Sequence, residues 1–389
     1  MSRLSSLVFR TESNCAMVAL LNCNRYEEGG FFMKKKLLIS FGVLLFLIAG
    51  GILFVKVILF PPYQPPEVTG DHEVEMQEFT WVDESRVETF TDTGEKRALT
   101  VKFWYPKEEG NYPLVVFSNG AFGVIDSNYS TCAELASNGY VVASIGHPYH
   151  AMYVKDVNGK VTLADKDFVQ SIYVGNGTYD PETEQIVYEN SREWLSLRLA
   201  DENFVLDTIL EKVGEGETAP FTLIDTEKIG LFGHSMGGAS SVQLGRERND
   251  IDAVIDLEGT MFGEYVGFEN GIEVYNEEPY PIPLLDINSE KVHEEAIKAQ
   301  QELTDVCPGW QYVNFYVGEH AKNYREIIFK DAGHLNFTDL PMISPFLAKM
   351  LGVGDVDARE CIGNVNEVVL AFFDHYLKGE ESLALQNEY

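Results

Sequence analysis

One stretch constrains this chain more than any other: Lys228 to Gly245, KIGLFGHSMGGASSVQLG. The run Ile229-Gly230-Leu231-Phe232 suits a strand buried on both faces. A sharp turn follows at Gly233-His234-Ser235-Met236-Gly237, then small residues with helical character. The pattern is G-x-S-x-G in a strand–turn–helix setting, the context of a nucleophile elbow. The chemistry needs these residue types. Ser235 must be lifted clear of the sheet on a strained turn. Gly233 and Gly237 leave room for strand and helix to approach. The first helical N–H groups then face the place where an oxyanion would form.

The rest of the chain sets the company this turn keeps. The formal net charge of -32 over 389 residues argues against nucleic acid as a partner. The charge is uneven: residues 1–60 hold seven Lys/Arg against three Asp/Glu, and the remainder 22 against 58. An acidic body therefore follows a basic, apolar leader. Met33-Lys34-Lys35-Lys36 precedes the apolar run 37–60, whose first nineteen residues carry no charge. Nineteen helical residues span about 28 Å, one bilayer core. The lysines predict a transmembrane signal-anchor with a cytoplasmic N-terminus and an extracytoplasmic body. A cleaved signal peptide is the alternative, since Ala49-Gly50-Gly51 offers small residues. Residues 1–32 fit no element and precede what resembles a bacterial membrane-targeting start. They are expected to be a non-native or cytoplasmic extension, with translation beginning at Met33. The Pro-rich segment 61–75 reads as a stiff stalk. Of five cysteines, none forms a C-x-x-C pair, and a Cys307–Cys361 disulfide is left open.

Residues 76–389 read as one domain. Strands are expected within 77–106 and at 113–117, 140–145, 229–232, 252–259, 282–288 and 324–329. Helices are expected near 130–138, 192–213, 294–303, 339–351 and 365–377. A polar insertion at 151–190 lies over the strand ends. This alternation predicts an α/β fold: a mostly parallel central sheet covered by helices on both faces.

An activated serine needs a base, and the base needs an orienting acid. His334 follows the last strand in a short Gly-containing loop, C-terminal to Ser235, and is the expected base; His147 is the alternative. Asp256, 21 residues past Ser235, is the expected acid. Asp286 is the alternative acid and Glu258 a further one. The N–H of Met236 and that of Ala121 or Phe122 are the expected oxyanion donors. No metal-ligand spacing and no phosphate loop occur, so neither metal nor cofactor is expected.

Several segments resemble the platelet-activating factor acetylhydrolase family of α/β-hydrolases. PLVVFSNGAFG with ELASNGYVVASIGHP is similar to its first strand–loop–helix–strand unit. KIGLFGHSMGGASSVQ is similar to its elbow. VIDLEGTMFG is similar to its segment carrying the catalytic Asp after the next strand, which favours Asp256. PLLDINSE, FKDAGHLNFTD and VNEVVLAFFDHYLKG are similar to its next strand, its His loop and its closing helix. Asn119 departs from the family's usual His, and 151–190 and 265–281 are unlike it. The resemblance implies an α/β-hydrolase fold and a serine esterase acting on a lipid or short-acyl phospholipid ester. A general carboxylesterase or polyester hydrolase is the alternative enzyme. An anchored binding protein on an inactive hydrolase fold is the alternative without catalysis. Substrate identity and oligomeric state are not legible here.

Overall fold

The computed structural model describes residues 40–174, 181–216, 218–269, 272–301, 312–381 and 385–389. One compact unit ends at Pro62 and a second runs from Tyr63 to Tyr389. The first contains helix α1 (Ser40–Leu59), 20 residues, long and apolar enough to cross a membrane. A signal sequence meets the same test of length and composition. The extension 1–32 and its proposed boundary at Met33 lie outside the described residues.

The second unit is built on an eight-stranded sheet. Strands β1 (Val74–Val87) and β2 (Lys96–Pro106) form an antiparallel edge. Next in sequence come β3 (Tyr112–Ser118), helix α2 (Tyr129–Ser137) and β4 (Val141–Gly146). A small hairpin, β5 (Tyr153–Lys155) and β6 (Val161–Leu163), leads to α3 (Lys166–Ile172) and the long α4 (Pro181–Glu215). Then follow β7 (Ile224–His234), α5 (Met236–Glu247) and β8 (Ala253–Leu257). A second hairpin, β9 (Tyr265–Glu269) and β10 (Ile272–Tyr275), precedes β11 (Leu284–Ser289), α6 (Glu290–Gln301) and α7 (Tyr312–His320). Strand β12 (Tyr324–Phe329) and helices α8 (Leu340–Ile343), α9 (Pro345–Met350) and α10 (Ala358–Lys378) complete it.

The sheet order is β1-β2-β4-β3-β7-β8-β11-β12, parallel from β4 onward. Strand periodicity explains the two cores. Along β3, Leu114 and Val116 face one layer, with Leu195, Leu206 and Ile209 of α4 and Val242 of α5. Val115 and Phe117 face the other, with Leu135 of α2 and Val365, Val368 and Phe372 of α10. The chain leaves β3 towards β4, then returns past it to β7. That reversal makes a topological switch point at the carboxyl ends of β3 and β7, where α/β sheets place their ligands.

Three findings depart from the sequence reading. The 151–190 region is structured: hairpin β5–β6, α3 and about three extra turns at the start of α4 occupy much of it. Met152 N–H donates to Gly123 O at 3.1 Å, fastening this region to the loop after β3. Second, part of the expected stalk is docked. Thr69 N–H donates to Glu134 Oε2 at 2.9 Å, Gly70 N–H to Ser137 Oγ at 3.2 Å, and Arg359 Nη2 to Gln64 O at 2.9 Å. An extended backbone has unpaired polar groups, and here the body supplies partners for some of them. Third, the hairpin β9–β10 and helix α7 have no counterpart among the expected elements. Cys361 is buried with a free thiol, and Cys307 lies outside the described residues.

Helix α10 packs closely on β7. A Cβ added at Gly230 would lie 2.5 Å from Phe373 Cε1 and 3.0 Å from Leu377 Cδ1. Gly230→Ala should therefore cost about 1–3 kcal/mol by overpacking. Adding Phe373→Leu should recover part of that loss. Urea midpoints of the two single variants and the double variant measure the coupling; strict additivity would show that the contact does not limit this packing.

Candidate active site

Ser235 lies where β7 ends and α5 begins, at φ 56° and ψ -123°. Sterics force the turn. A Cβ on Gly233 would fall 2.2 Å from the Gly237 carbonyl carbon, and one on Gly237 2.0 Å from Ser118 O. Ser235 N–H donates to Leu257 O at 2.9 Å, tying the turn to the end of β8. The serine stays half-buried while its neighbours on either side are buried.

The histidine arrives from the opposite edge. His334 begins a 3-10 turn, His334–Phe337, just after β12. Asn336 Oδ1 accepts from Gly333 N–H at 2.9 Å and Gly354 N–H at 2.8 Å, which fixes the loop. His234, the variable residue of the elbow, donates from Nε2 to His334 O at 2.9 Å, with ring centroids 4.5 Å apart. Burial, and then His334 nearby, push the His234 pKa down to about 3, so it is a neutral strut. The His334 side chain is 44% exposed, so its ring is open to solvent.

The acid bonded to His334 is Glu258. His334 Nδ1 lies 2.7 Å from Glu258 Oε2, and Glu258 Oε1 accepts from Ser289 N–H at 2.8 Å. Glu258 has φ 51°, so the chain turns out of β8 there and aims the carboxylate at the histidine loop. Asp256 is placed differently. It lies inside β8, in register with Gly233 on one side and Asp286 on the other. It accepts from Gly259 N–H at 2.8 Å and from Asn314 Nδ2 at 3.4 Å. A Cβ on Gly238 would fall 1.8 Å from Asp256 Oδ1, so this carboxyl fills the space beneath the elbow helix. Burial, then the neighbouring Asp286, hold its pKa well above the usual carboxylate range. Asp286 accepts from Tyr324 Oη at 3.0 Å and Asn314 Nδ2 at 3.2 Å, and burial raises its pKa to about 7. The geometry thus brings His334 to Glu258, and neither aspartate is its partner. In the sequence Glu258 was only a further alternative acid, although it is the first carboxylate beyond the strand.

Of the expected oxyanion donors, Phe122 N–H is already committed to His150 O at 2.9 Å. Ala121 N–H has no protein acceptor among the described residues, and Met236 is the first residue of α5, with an N–H free of the helix ladder. The loop after β3 presses on the elbow: a Cβ on Gly120 would lie 3.0 Å from His234 Nδ1 and 3.1 Å from Ser235 Cβ.

A buried polar network lies beneath this loop. His147, the alternative base, bonds Asp201 Oδ2 through Nδ1 at 3.0 Å and Ser118 Oγ through Nε2 at 3.1 Å. It is fully buried, and desolvation with Arg198 nearby pushes its pKa down to about 3. Burial opposes the charge of Asp201, but Arg97, forked onto both its oxygens at 2.6 Å, holds its pKa well below the usual range. Glu202 accepts from Ser240 of the elbow helix, and desolvation raises its pKa to about 7.

The profile of "Platelet-activating factor acetylhydrolase, isoform II" matches residues 77–387. The chain belongs to that family. The platelet-activating factor acetylhydrolase of Cavia porcellus is 27% identical over 274 residues, covering 68% of this chain and 58% of that protein. The one from Bos taurus is 27% identical over 281 residues, covering 68% and 57%. The chain thus spans less than two thirds of the length of these relatives. A ferulic acid esterase from Streptomyces cinnamoneus superposes with a TM-score of 0.58 at 23% identity, covering 82% of this chain and 95% of that one. That likeness confirms the α/β-hydrolase architecture.

Two predictions follow from the carboxylates. Glu258→Gln should lower kcat about 10³–10⁴-fold, as expected when an imidazole loses its orienting charge. Asp256→Asn, which resembles the protonated acid, should stay within about tenfold of the parent. Steady-state kinetics on a soluble ester decide, and the reverse ranking would return the role to Asp256. For Glu202, the folded pKa of about 7 exceeds the unfolded value, so the folded chain binds more protons between them. Its contribution to stability therefore falls as pH rises through that window. Relative to wild type, Glu202→Gln should gain up to about 3 kcal/mol between pH 5 and pH 8, read from denaturation midpoints. A pH-independent difference would refute the assignment.

Proposed function

We propose that this chain is a serine hydrolase of carboxylic esters that works through an acyl-enzyme on Ser235. The observation that carries the reading is the 2.7 Å contact of His334 with Glu258 beside a serine held at φ 56° on the elbow. Ser235 Oγ attacks the acyl carbonyl while His334 Nε2 takes its proton. Glu258 holds Nδ1–H and stabilises the imidazolium. The N–H groups of Ala121 and Met236 receive the developing oxyanion. His334 then returns the proton to the leaving alcohol, and water attacks the acyl-enzyme by the same route in reverse. No step calls for a cofactor.

The substrate we propose is a lipid ester, in particular a phospholipid with a short acyl group. Family membership supports this, as does α1, which as an uncleaved anchor would keep the catalytic domain at an extracytoplasmic membrane surface. Cleavage of α1 as a signal would release the same domain.

Phospholipids of graded sn-2 chain length, compared with soluble esters and polyester films, test the reading. Activity should be highest on short sn-2 chains and should vanish in Ser235→Ala. Equal slow turnover by wild type and Ser235→Ala would end the catalytic reading. A preference for soluble esters or polyester would end the lipid reading alone.

A further inference from the structure

Arg198 of α4 is wholly buried and makes no direct ion pair among the described residues. Its guanidinium is spent on backbone. Nη1 donates to Asn119 O at 2.7 Å and Nη2 to Gly120 O at 3.3 Å. Nε donates to His150 Nδ1 at 3.3 Å, which leaves the proton of a neutral His150 on Nε2. Burial and then Arg198 keep His150 neutral, and its ring stacks on Phe168 at 3.9 Å. His150 O meanwhile accepts Phe122 N–H at 2.9 Å. Both ends of the 119–122 loop are therefore gripped from behind. Burial lowers the Arg198 pKa only to about 10, so the group stays charged at neutral pH.

The consequence lies in peptide geometry. In a trans peptide the C=O and N–H point in opposite directions. Pulling Gly120 O towards Arg198 turns the N–H of the same peptide unit, that of Ala121, away from Arg198. Ser235 lies against this loop, its Cβ 3.1 Å from the place a Gly120 Cβ would take. We propose that Arg198 is a positioning residue that sets the direction of the Ala121 N–H donor through the Asn119 and Gly120 carbonyls. A planar fork is required, because it must reach two carbonyls at once. A lysine ammonium offers a point charge instead. The residue touches no reacting atom. This inference rests on the acyl-enzyme reading above.

The test compares wild type, Arg198→Lys and Ser235→Ala in ester turnover and in binding of an alkylboronic acid. The boronate forms a tetrahedral adduct on the serine, with one oxygen where the oxyanion would sit. Thermal unfolding and circular dichroism monitor the fold. Arg198→Lys should keep the wild-type spectrum, lose about 10–100-fold in kcat with KM changed less than threefold, and lose boronate affinity in parallel. Arg198→Ala with millimolar methylguanidinium should regain part of kcat. A folded Arg198→Lys with unchanged kcat and boronate affinity would overturn the proposal, as would a loss confined to KM. If Arg198→Lys does not fold, His150→Gln, which breaks the stack on Phe168, should show the same kcat and boronate pattern at about 3–10-fold. No change there would overturn it equally. A wild type that neither turns over esters nor binds boronate in a Ser235-dependent way would sink both readings. Wild-type activity with an indifferent Arg198→Lys sinks only this one.

Discussion

The backbone of Ser235 is the constraint on which the rest depends. A residue other than glycine at φ 56° and ψ -123° costs on the order of 1–3 kcal/mol and persists only where its surroundings leave no alternative. Here they leave none. Gly233 and Gly237 meet across the turn, Gly237 lies against Ser118 O, and Ser235 N–H is held by Leu257 O. Strands β3, β7 and β8 thus meet at one residue. The antiparallel edge, the helical layers and the histidine loop keep those three strand ends rigid. Strain here is also alignment: the turn that raises the serine leaves Met236 N–H without a protein acceptor among the described residues.

The second constraint is charge in a dry place. Asp256, Asp286, Asp201 and Glu202 are all fully or almost fully buried, yet they behave differently. Asp201 has the Arg97 fork and stays ionised. Asp256 and Asp286 have no cation partner among the described residues; burial raises both pKa values, with Asp286 adding to the rise at Asp256 and Glu326 to that at Asp286. Two carboxyls that tend to keep their protons are poor orienters of an imidazolium. Glu258 is as buried, but it spends one oxygen on Ser289 N–H and the other on a histidine that opens to solvent. The division of labour follows from partners, since burial is common to all.

This is also where sequence reading reached its limit. The elbow turn, the mostly parallel sheet and the loop that carries His334 were legible because each rests on local chemistry: a turn that only glycine fits, a period of two, a loop after a strand. Asp256 and Asp286 both lie inside their strands, since β8 runs to Leu257 and β11 to Ser289. What kept Glu258 a further alternative in the sequence was the left-handed turn at its own position, which no residue preference announces for a glutamate. The 151–190 region was legible only as a polar insertion because its residues carry little periodicity. Its structure comes from contacts distant in sequence: Phe168 against His150 and Phe122, Trp194 Nε1 on Ser171 Oγ, Tyr188 stacked on Phe268.

Those same contacts bear on what the fold can do. Residues that contact the flanking segments and those that hold the 119–122 loop lie on one helix. α4 carries Tyr188 and Trp194 near its start, then Arg198, Asp201 and Glu202 a turn or two later. A shift of its outer end, where it meets the β9–β10 hairpin through Tyr188 and Phe268, is passed along a rigid rod towards Arg198. The buried charges resist that movement, since displacing Arg198 or Asp201 strands a charge without its partners, at a cost of several kcal/mol. On the proposed reading, the segments packed on the outer part of α4 and the loop at Gly120 are therefore tied through one helix, and sequence changes there that suit a new acyl group must leave the inner half of α4 in place.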